Sequence, residues 1–122
     1  MVRTYGLTHV AIAVRDLNRA TRFYQQVLDA AVVFQNDEMV QLQTPGCHDA
    51  IVLERAPDEA GPGGGIRHFG FRLTDPAHIE QAAKDVEAAG GTIRDRGQFC
   101  PGEPYLFATD PDGYEIEIWY EV

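Results

Sequence analysis

Four side chains of types that bind metal ions recur at matching places in this sequence. Two histidines each open an alternating apolar run, and two glutamates each lie near the end of such a run. Imidazole nitrogens and carboxylate oxygens together form a ligand set for divalent metals. If the fold brings the four runs to one cleft, the predicted metal ligands are His9, Glu54, His68 and Glu117.

The number of ligands decides which chemistry such a site supports. His9, His68 and Glu117 alone would form a two-histidine, one-carboxylate triad with three open positions, which suits iron(II) and oxygen chemistry. Adding Glu54 leaves two positions for water or substrate oxygens. That set suits nickel, zinc, cobalt or manganese acting as a Lewis acid. The residues by themselves leave both alternatives open.

The last segment shows how a strand would present these ligands. A turn of Asp, Pro, Asp and Gly at 110–113 leads into a run with period-two alternation. One face of the predicted strand is apolar and is expected to pack on a helix. The other face carries Glu115, Glu117 and Trp119. The same alternation leaves His68, with Gly70 and Arg72, on the face away from the helix.

The order of predicted elements repeats along the chain. A shift of 59 residues places His9 on His68, and it also places Asp16 on Asp75 at the start of each predicted helix. The strands are expected at 8–14, 31–35, 39–44, 50–56, 66–73, 92–96, 105–109 and 114–120, and the helices at 17–28 and 75–89.

This repeat predicts an α+β fold of two tandem βαβββ modules. We expect one domain, 1–122, with a first module at 1–57, a linker at 58–65 and a second module at 66–122. Each module buries one face of its sheet against its helix, so the open faces are expected to enclose the cleft. The whole would be a cupped mixed sheet around a metal-binding cleft, with the helices on the outer face.

Composition and charge narrow the class of protein. Nineteen acidic against ten basic side chains give a formal charge of -9, which disfavours nucleic acid and anionic membranes as partners. There is no long apolar run and no secretory signal, so we expect a cytoplasmic protein that binds a small molecule. Cys47 and Cys100 form neither a disulfide framework nor a metal motif.

The chain resembles the vicinal oxygen chelate superfamily, which includes glyoxalase I, extradiol dioxygenases and bleomycin- or fosfomycin-resistance proteins. The resemblance covers nearly the whole chain. It is carried by the two histidine-led openings at 9–14 and 68–71, the helix end at 23–28 and the segment 110–117, whose final glutamate ligates the metal in metal-using members. It implies that His9, His68 and Glu117 are ligands, and that Glu54 matches the fourth ligand of glyoxalase I.

Three functions remain as alternatives. The leading one is a glyoxalase I-like lyase or isomerase, in which a metal stabilises an enediolate and Glu54 or Glu117 moves the proton. The second is an iron(II) dioxygenase, although Phe107 stands where extradiol enzymes have tyrosine and no histidine lies in 98–104. The third is a non-catalytic resistance protein that binds a drug or natural product in the cleft.

Four further residues are expected to contact the substrate. Arg72 could hold a carboxylate or phosphate group, whereas aromatic rings could hold a cationic aromatic ligand. The resemblance also implies a homodimer, in which one site can draw ligands from two chains. The predicted substrate-binding residues are Arg72, Tyr105, Phe107 and Trp119.

Overall fold

Two copies of the same order of strands and helix make up the chain. The computed structural model describes all residues from 1 to 122, and they divide into two units, Met1–Ala60 and Gly61–Val122. Each unit has the order strand, helix, strand, strand, strand. The predicted α+β fold of tandem βαβββ modules is therefore confirmed.

The first unit contains a four-stranded mixed sheet covered by one helix. The sheet order is β1-β4-β3-β2, with β1 parallel to β4 and the other pairs antiparallel. Its elements are β1 (His9–Val14), α1 (Leu17–Leu28), β2 (Ala31–Gln35), β3 (Met39–Gln43) and β4 (Ala50–Arg55).

The second unit repeats this topology. Its order is β5-β8-β7-β6, and again the first and last strands of the unit are parallel neighbours. A single 3₁₀ turn, Pro76–His78, precedes its helix. The elements are β5 (Phe69–Arg72), α2 (Ile79–Ala88), β6 (Thr92–Gln98), β7 (Pro104–Thr109) and β8 (Glu115–Trp119).

The helix-facing side of each sheet forms the core of its unit. In β8, Ile116 and Ile118 are fully buried, as the alternation predicts. In α1, Phe23 and Tyr24 are also buried, and their rings meet edge to face at 5.1 Å. The sheet face opposite the helix is therefore the one available for polar side chains.

Aspartates start both helical segments. The Asp16 carboxylate accepts a hydrogen bond from the Arg19 backbone N–H at 2.9 Å, and Asp75 accepts one from Ala77 at 2.9 Å. The second helix was expected to begin directly at 75. Its first turn is instead a 3₁₀ turn, in which the His78 N–H donates to the Asp75 carbonyl oxygen. Such turns are common at helix N-termini.

The end of α1 carries a backbone conformation that glycine would adopt more easily. Asp29 has φ 54° and ψ 29°, in the left-handed region, and its N–H closes the helix on Gln25. We expect Asp29→Gly to raise the free energy of unfolding by about 0.5–1 kcal/mol in urea denaturation. As a control, Gly90→Ala introduces a Cβ at φ 93° and should lower it by about 1 kcal/mol. A loss of stability with Asp29→Gly would contradict this explanation.

One predicted strand is shorter than expected at the end that carries a candidate ligand. The expected strand 66–73 is observed as β5, Phe69–Arg72, so His68 lies immediately before it. Phe69 pairs with Ile116, so in this parallel register His68 would lie opposite Glu115, the first residue of β8, and only residues before His68 would lie opposite the turn that precedes β8. Neither helix is long and apolar enough to cross a membrane.

Candidate metal centre

Parallel pairing of β5 with β8 brings His68 next to Glu117. Glu117 pairs with Gly70, two residues after His68, so both side chains lie on the face away from α2. His68 Nε2 is 3.8 Å from Glu117 Oε1, and the two side chains are 38% and 15% exposed. The mostly buried carboxylate therefore has an imidazole as its neighbour.

The separation and chemistry of this pair fit a divalent metal. Bonds from a metal to nitrogen or oxygen are about 2.0–2.2 Å long, so two ligands of one ion can lie up to about 4.2 Å apart. The observed 3.8 Å falls within that limit. His68 and Glu117 could thus hold one ion together, with further positions left for other ligands.

Gly70 leaves a gap beside the pair. A Cβ atom built on Gly70 would lie 3.5 Å from Glu117 Oε1 and 3.5 Å from Trp119 Nε1. Those are ordinary contact distances, so a small group fits there without displacing either side chain. We call this space above Gly70, next to Glu117 and Trp119, the Gly70 niche.

Aromatic side chains line the same face of the second unit. The rings of His68 and Phe107 meet edge to face at 5.0 Å, and Phe107 meets Tyr105 at 5.7 Å. Tyr105 stacks on Phe99 at 4.3 Å and lies across Gly97, where a Cβ would be 3.0 Å from its hydroxyl oxygen. The predicted contact residues Tyr105, Phe107 and Trp119 thus share a face with Glu117.

Arg72 is already engaged in the structure. Its Nη2 donates to the backbone carbonyl oxygen of Glu121 at 3.0 Å, and Nη1 lies 3.6 Å from the Glu121 carboxylate. Both side chains are about half exposed, so the ion pair itself adds little stability. An anionic substrate group would have to compete with Glu121 for this guanidinium.

In the first unit, His9 lies at the start of β1. Its Nδ1 is 3.3 Å from the Thr8 hydroxyl, a contact that orients the ring. This neighbour was not anticipated from the sequence. Ligand histidines commonly use their second ring nitrogen in such a contact, which leaves Nε2 for the metal.

The register of β1 with β4 does not make Glu54 the counterpart of Glu117. In the second unit, Gly70 lies two positions after His68 and pairs with Glu117. In the first unit, Ala11 lies two positions after His9 and pairs with Val52. Glu54 pairs with Ala13, four residues beyond His9, or about 13 Å along the strand. Val52 is thus the counterpart of Glu117 in the register of the strands, and Glu54 as a ligand stays an untested prediction.

The structure brings the four predicted ligands together only in part. His68 and Glu117 form a close pair, and His9 and Glu54 lie at opposite ends of the β1–β4 ladder. No group of three or more His, Cys, Asp or Glu side chains lies close enough to hold a metal ion.

A buried aspartate organises the turn that leads into β8. Asp110 is 3% exposed, and its Oδ1 accepts hydrogen bonds from the backbone N–H groups of Asp112 and Tyr114, each at 2.9 Å. The Asp110 N–H in turn donates to the Tyr114 carbonyl oxygen. The sequence indicated a turn here, but it did not indicate that the Asp110 side chain closes it. The closed turn determines where β8 starts, and therefore where Glu117 lies.

A separate groove of about 650 Å³ lies in the first unit. It includes His48, which lies in the loop between β3 and β4, and Thr8, the neighbour of His9. Its walls are formed by Tyr5, Leu7, Thr8, Cys47, His48 and Asp49.

Cys100 is an exposed thiol with a specific partner in the β6–β7 loop. Its Sγ donates to Glu103 Oε2 at 2.9 Å, and this hydrogen bond is the main reason that the pKa of Cys100 is raised. The same bond lowers the pKa of Glu103. Fewer thiolates therefore exist at Cys100 at a given pH below its raised pKa, and the thiolate is the reactive form.

This difference is measurable because Cys47 is also exposed and free. At pH 8 we expect iodoacetamide to modify Cys100 at no more than about one third of the rate for Cys47. Mass spectrometry of the two peptides measures both rates. Glu103→Ala should accelerate modification of Cys100 and leave Cys47 unchanged. Equal rates in the wild-type protein would contradict the role given to Glu103.

Comparison with known proteins identifies the family. A family model described as the Glyoxalase/Bleomycin resistance protein/Dioxygenase superfamily matches residues 6–118. An uncharacterized protein of Pseudomonas aeruginosa is 28% identical over 127 residues, which cover 93% of this chain and 87% of that protein.

Two further relatives illustrate the range of the family. A probable chloroplastic lactoylglutathione lyase of Arabidopsis thaliana is 27% identical over 92% of this chain, which spans only 35% of that protein's length. The crystal structure of the fosfomycin resistance protein FosX from Mesorhizobium loti superimposes with a TM-score of 0.81 at 22% identity, covering 98% of this chain and 95% of that one. The predicted resemblance is confirmed, and the chain belongs to the Glyoxalase/Bleomycin resistance protein/Dioxygenase superfamily.

Proposed function

We propose that this protein is a divalent-metal-dependent lyase or isomerase of the glyoxalase type. Its substrate would be a small molecule that binds through two adjacent oxygen atoms. The observation that carries the proposal is the His68–Glu117 pair, which sits at metal-bridging distance on an open sheet face beside the Gly70 niche. The lactoylglutathione lyase relative supports the same reaction class.

His9, His68 and Glu117 would hold the metal, with Glu54 as the candidate fourth ligand. A bound divalent ion would supply Lewis-acid polarisation of the substrate's adjacent oxygens. Glu54 pairs with Ala13 on β1, so its carboxylate would have to reach the metal from further along the strand than that of Glu117. Nickel, zinc, cobalt and manganese are the metals proposed for the lyase or isomerase reaction.

Residues of the second unit would transfer the proton, exclude water and bind the substrate. Glu117 is the proposed proton carrier between adjacent substrate carbons. A carboxylate can act as a general base when it lies within hydrogen-bond distance of the proton that it removes from the substrate. Phe107 and Tyr105 would exclude water beside it, because their rings cover the same face. Arg72 would bind an anionic end of the substrate after exchange with Glu121.

One observation favours a second candidate, an iron(II) dioxygenase. Val52 pairs with Ala11, where a carboxylate would be the counterpart of Glu117, and a site without Glu54 would have the two-histidine, one-carboxylate arrangement used with iron(II). The absence of histidine in 98–104 and the phenylalanine at 107 count against it. The dioxygenase would also be expected to bind a catechol, for which the aromatic face offers stacking partners.

Metal analysis combined with one substitution separates these functions. The purified protein is assayed for bound metals and, after loading with nickel or manganese, for isomerisation of the hemithioacetal of methylglyoxal and glutathione. Glu54→Gln should leave metal content unchanged if three ligands suffice, and should lower it if four are used. Iron(II) that binds nitric oxide only when catechol is present would establish the dioxygenase instead. Tight binding of a cationic aromatic drug by the metal-free protein would establish a binding protein.

Mixing two inactive variants tests whether the site draws its ligands from two chains of a proposed homodimer. His9→Ala and Glu117→Gln each remove a proposed ligand in a different unit. If a site draws its ligands from two chains, refolding the variants together restores one intact site in each mixed dimer. If each site forms within a single chain, the mixture stays inactive.

A further inference from the structure

The indole of Trp119 carries a hydrogen-bond donor that the structure leaves unused. Trp119 Nε1 borders the Gly70 niche, 3.5 Å from the point where a Gly70 Cβ would lie. Indole N–H can only donate, and it has no hydrogen-bond partner in the structure. Glu117 Oε1 lies at the same distance of 3.5 Å from that point. A donor and a carboxylate therefore face one small space.

The chemistry of the two walls restricts what the niche can hold. A substrate oxygen there would accept a hydrogen bond from the indole. A negatively charged oxygen would be repelled by the Glu117 carboxylate unless a cation bridged them, since like charges at this range destabilise each other. The niche thus suits an oxygen that becomes anionic only when a metal is bound by His68 and Glu117.

The size of the niche depends on glycine at position 70. Any other residue would place a Cβ in the space, at contact distance from both walls. Gly70 is in the extended strand β5 and has no positive φ, so its backbone conformation does not require glycine. The backbone therefore does not explain why position 70 is glycine, whereas the need for space for a ligand atom would explain it.

We infer that the Trp119 N–H donates a hydrogen bond to an oxygen of the substrate lodged in the Gly70 niche, and so favours substrates whose oxygen at this position ionises on binding. This inference rests on the proposed function. It assigns Trp119 a polar role, whereas the sequence indicated only ring stacking. Compounds of this class include α-hydroxy ketones, catechols and hydroxamates.

Acetohydroxamate, a stable compound with two adjacent oxygens, tests the inference without turnover. Its Kd for the nickel-loaded protein is measured by calorimetry, and nickel affinity is measured separately. Trp119→Phe keeps an aromatic ring and removes the donor, so it should weaken acetohydroxamate binding about tenfold with nickel affinity within about threefold. Because Trp119 is the single tryptophan, wild-type fluorescence should also change on acetohydroxamate addition.

Two further variants separate this role from a general effect on folding. Gly70→Ala adds a methyl group to the niche from β5, the strand next to β8, and should also weaken acetohydroxamate binding, again about tenfold. Tyr120→Phe is the matched control, since it also removes one donor from an aromatic side chain but follows Trp119 in the sequence, on the opposite face by alternation, and binding should be unchanged.

The outcomes distinguish the two levels of the proposal. Unchanged acetohydroxamate affinity in nickel-loaded Trp119→Phe or Gly70→Ala would overturn the inference and leave the proposed function standing. A wild-type protein that binds no divalent metal would overturn the proposed function and the inference with it.

Discussion

Glu117→Gln is expected to lower divalent-metal affinity by about 100-fold or more, because even outer-shell substitutions at metal sites cost roughly 10–100-fold. Glutamine keeps the shape of the side chain but loses the negative charge that the metal requires. Affinity is measured by competition with a chromophoric chelator. Glu115→Gln is the matched control, since Glu115 lies on the same strand and face and pairs with Thr109, two residues from Glu117. It should change affinity by less than about threefold.

Thermal unfolding gives an independent check on this substitution. A ligand that binds only the folded protein stabilises it by about 2.7 kcal/mol at 100 times its Kd. The wild-type Tm should therefore rise on adding metal, whereas that of Glu117→Gln should not. Without metal, the variant should be at least as stable as the wild type, because a carboxylate only 15% exposed is replaced by a neutral amide. An equal metal-dependent rise in both proteins would exclude Glu117 as a ligand.

Asp110→Ala is expected to have the largest effect on folding, a loss of about 3 kcal/mol in the free energy of unfolding. The carboxylate is buried and accepts two backbone hydrogen bonds at 2.9 Å, so its removal leaves both donors unsatisfied. Urea denaturation measures the loss. The same change should weaken metal binding, because the turn sets where β8 begins.

Two controls locate the cause of this effect. Asp110→Asn retains an oxygen at Oδ1, which accepts both bonds, and should cost only about 1 kcal/mol. Asp16→Ala removes one exposed capping bond at the start of α1 and should also cost about 1 kcal/mol. If Asp110→Ala were no more destabilising than Asp16→Ala, the turn would not depend on this carboxylate.

Local patterns were sufficient to predict the repeat and most element boundaries. The start and end of β2 and the extent of α1 match the prediction, because alternation and capping are properties of neighbouring residues. Alternation also placed Glu117 opposite the buried Ile116 and Ile118. Two strands differ more clearly from the prediction: β5 begins only at Phe69, and β6 extends to Gln98 where it pairs with Pro104.

Period-two alternation tells which face of a strand a residue occupies, but it does not tell which residue it meets on the next strand. The sequence therefore determined the two modules, the open faces and the candidacy of His9, Glu54, His68 and Glu117. Only the tertiary structure decided that Val52 and not Glu54 lies opposite Ala11, two positions after His9, that Arg72 is held by Glu121, and that the Trp119 N–H borders the Gly70 niche. These relations depend on register and on contacts between residues far apart in the chain, which backbone pairing fixes and local pattern does not.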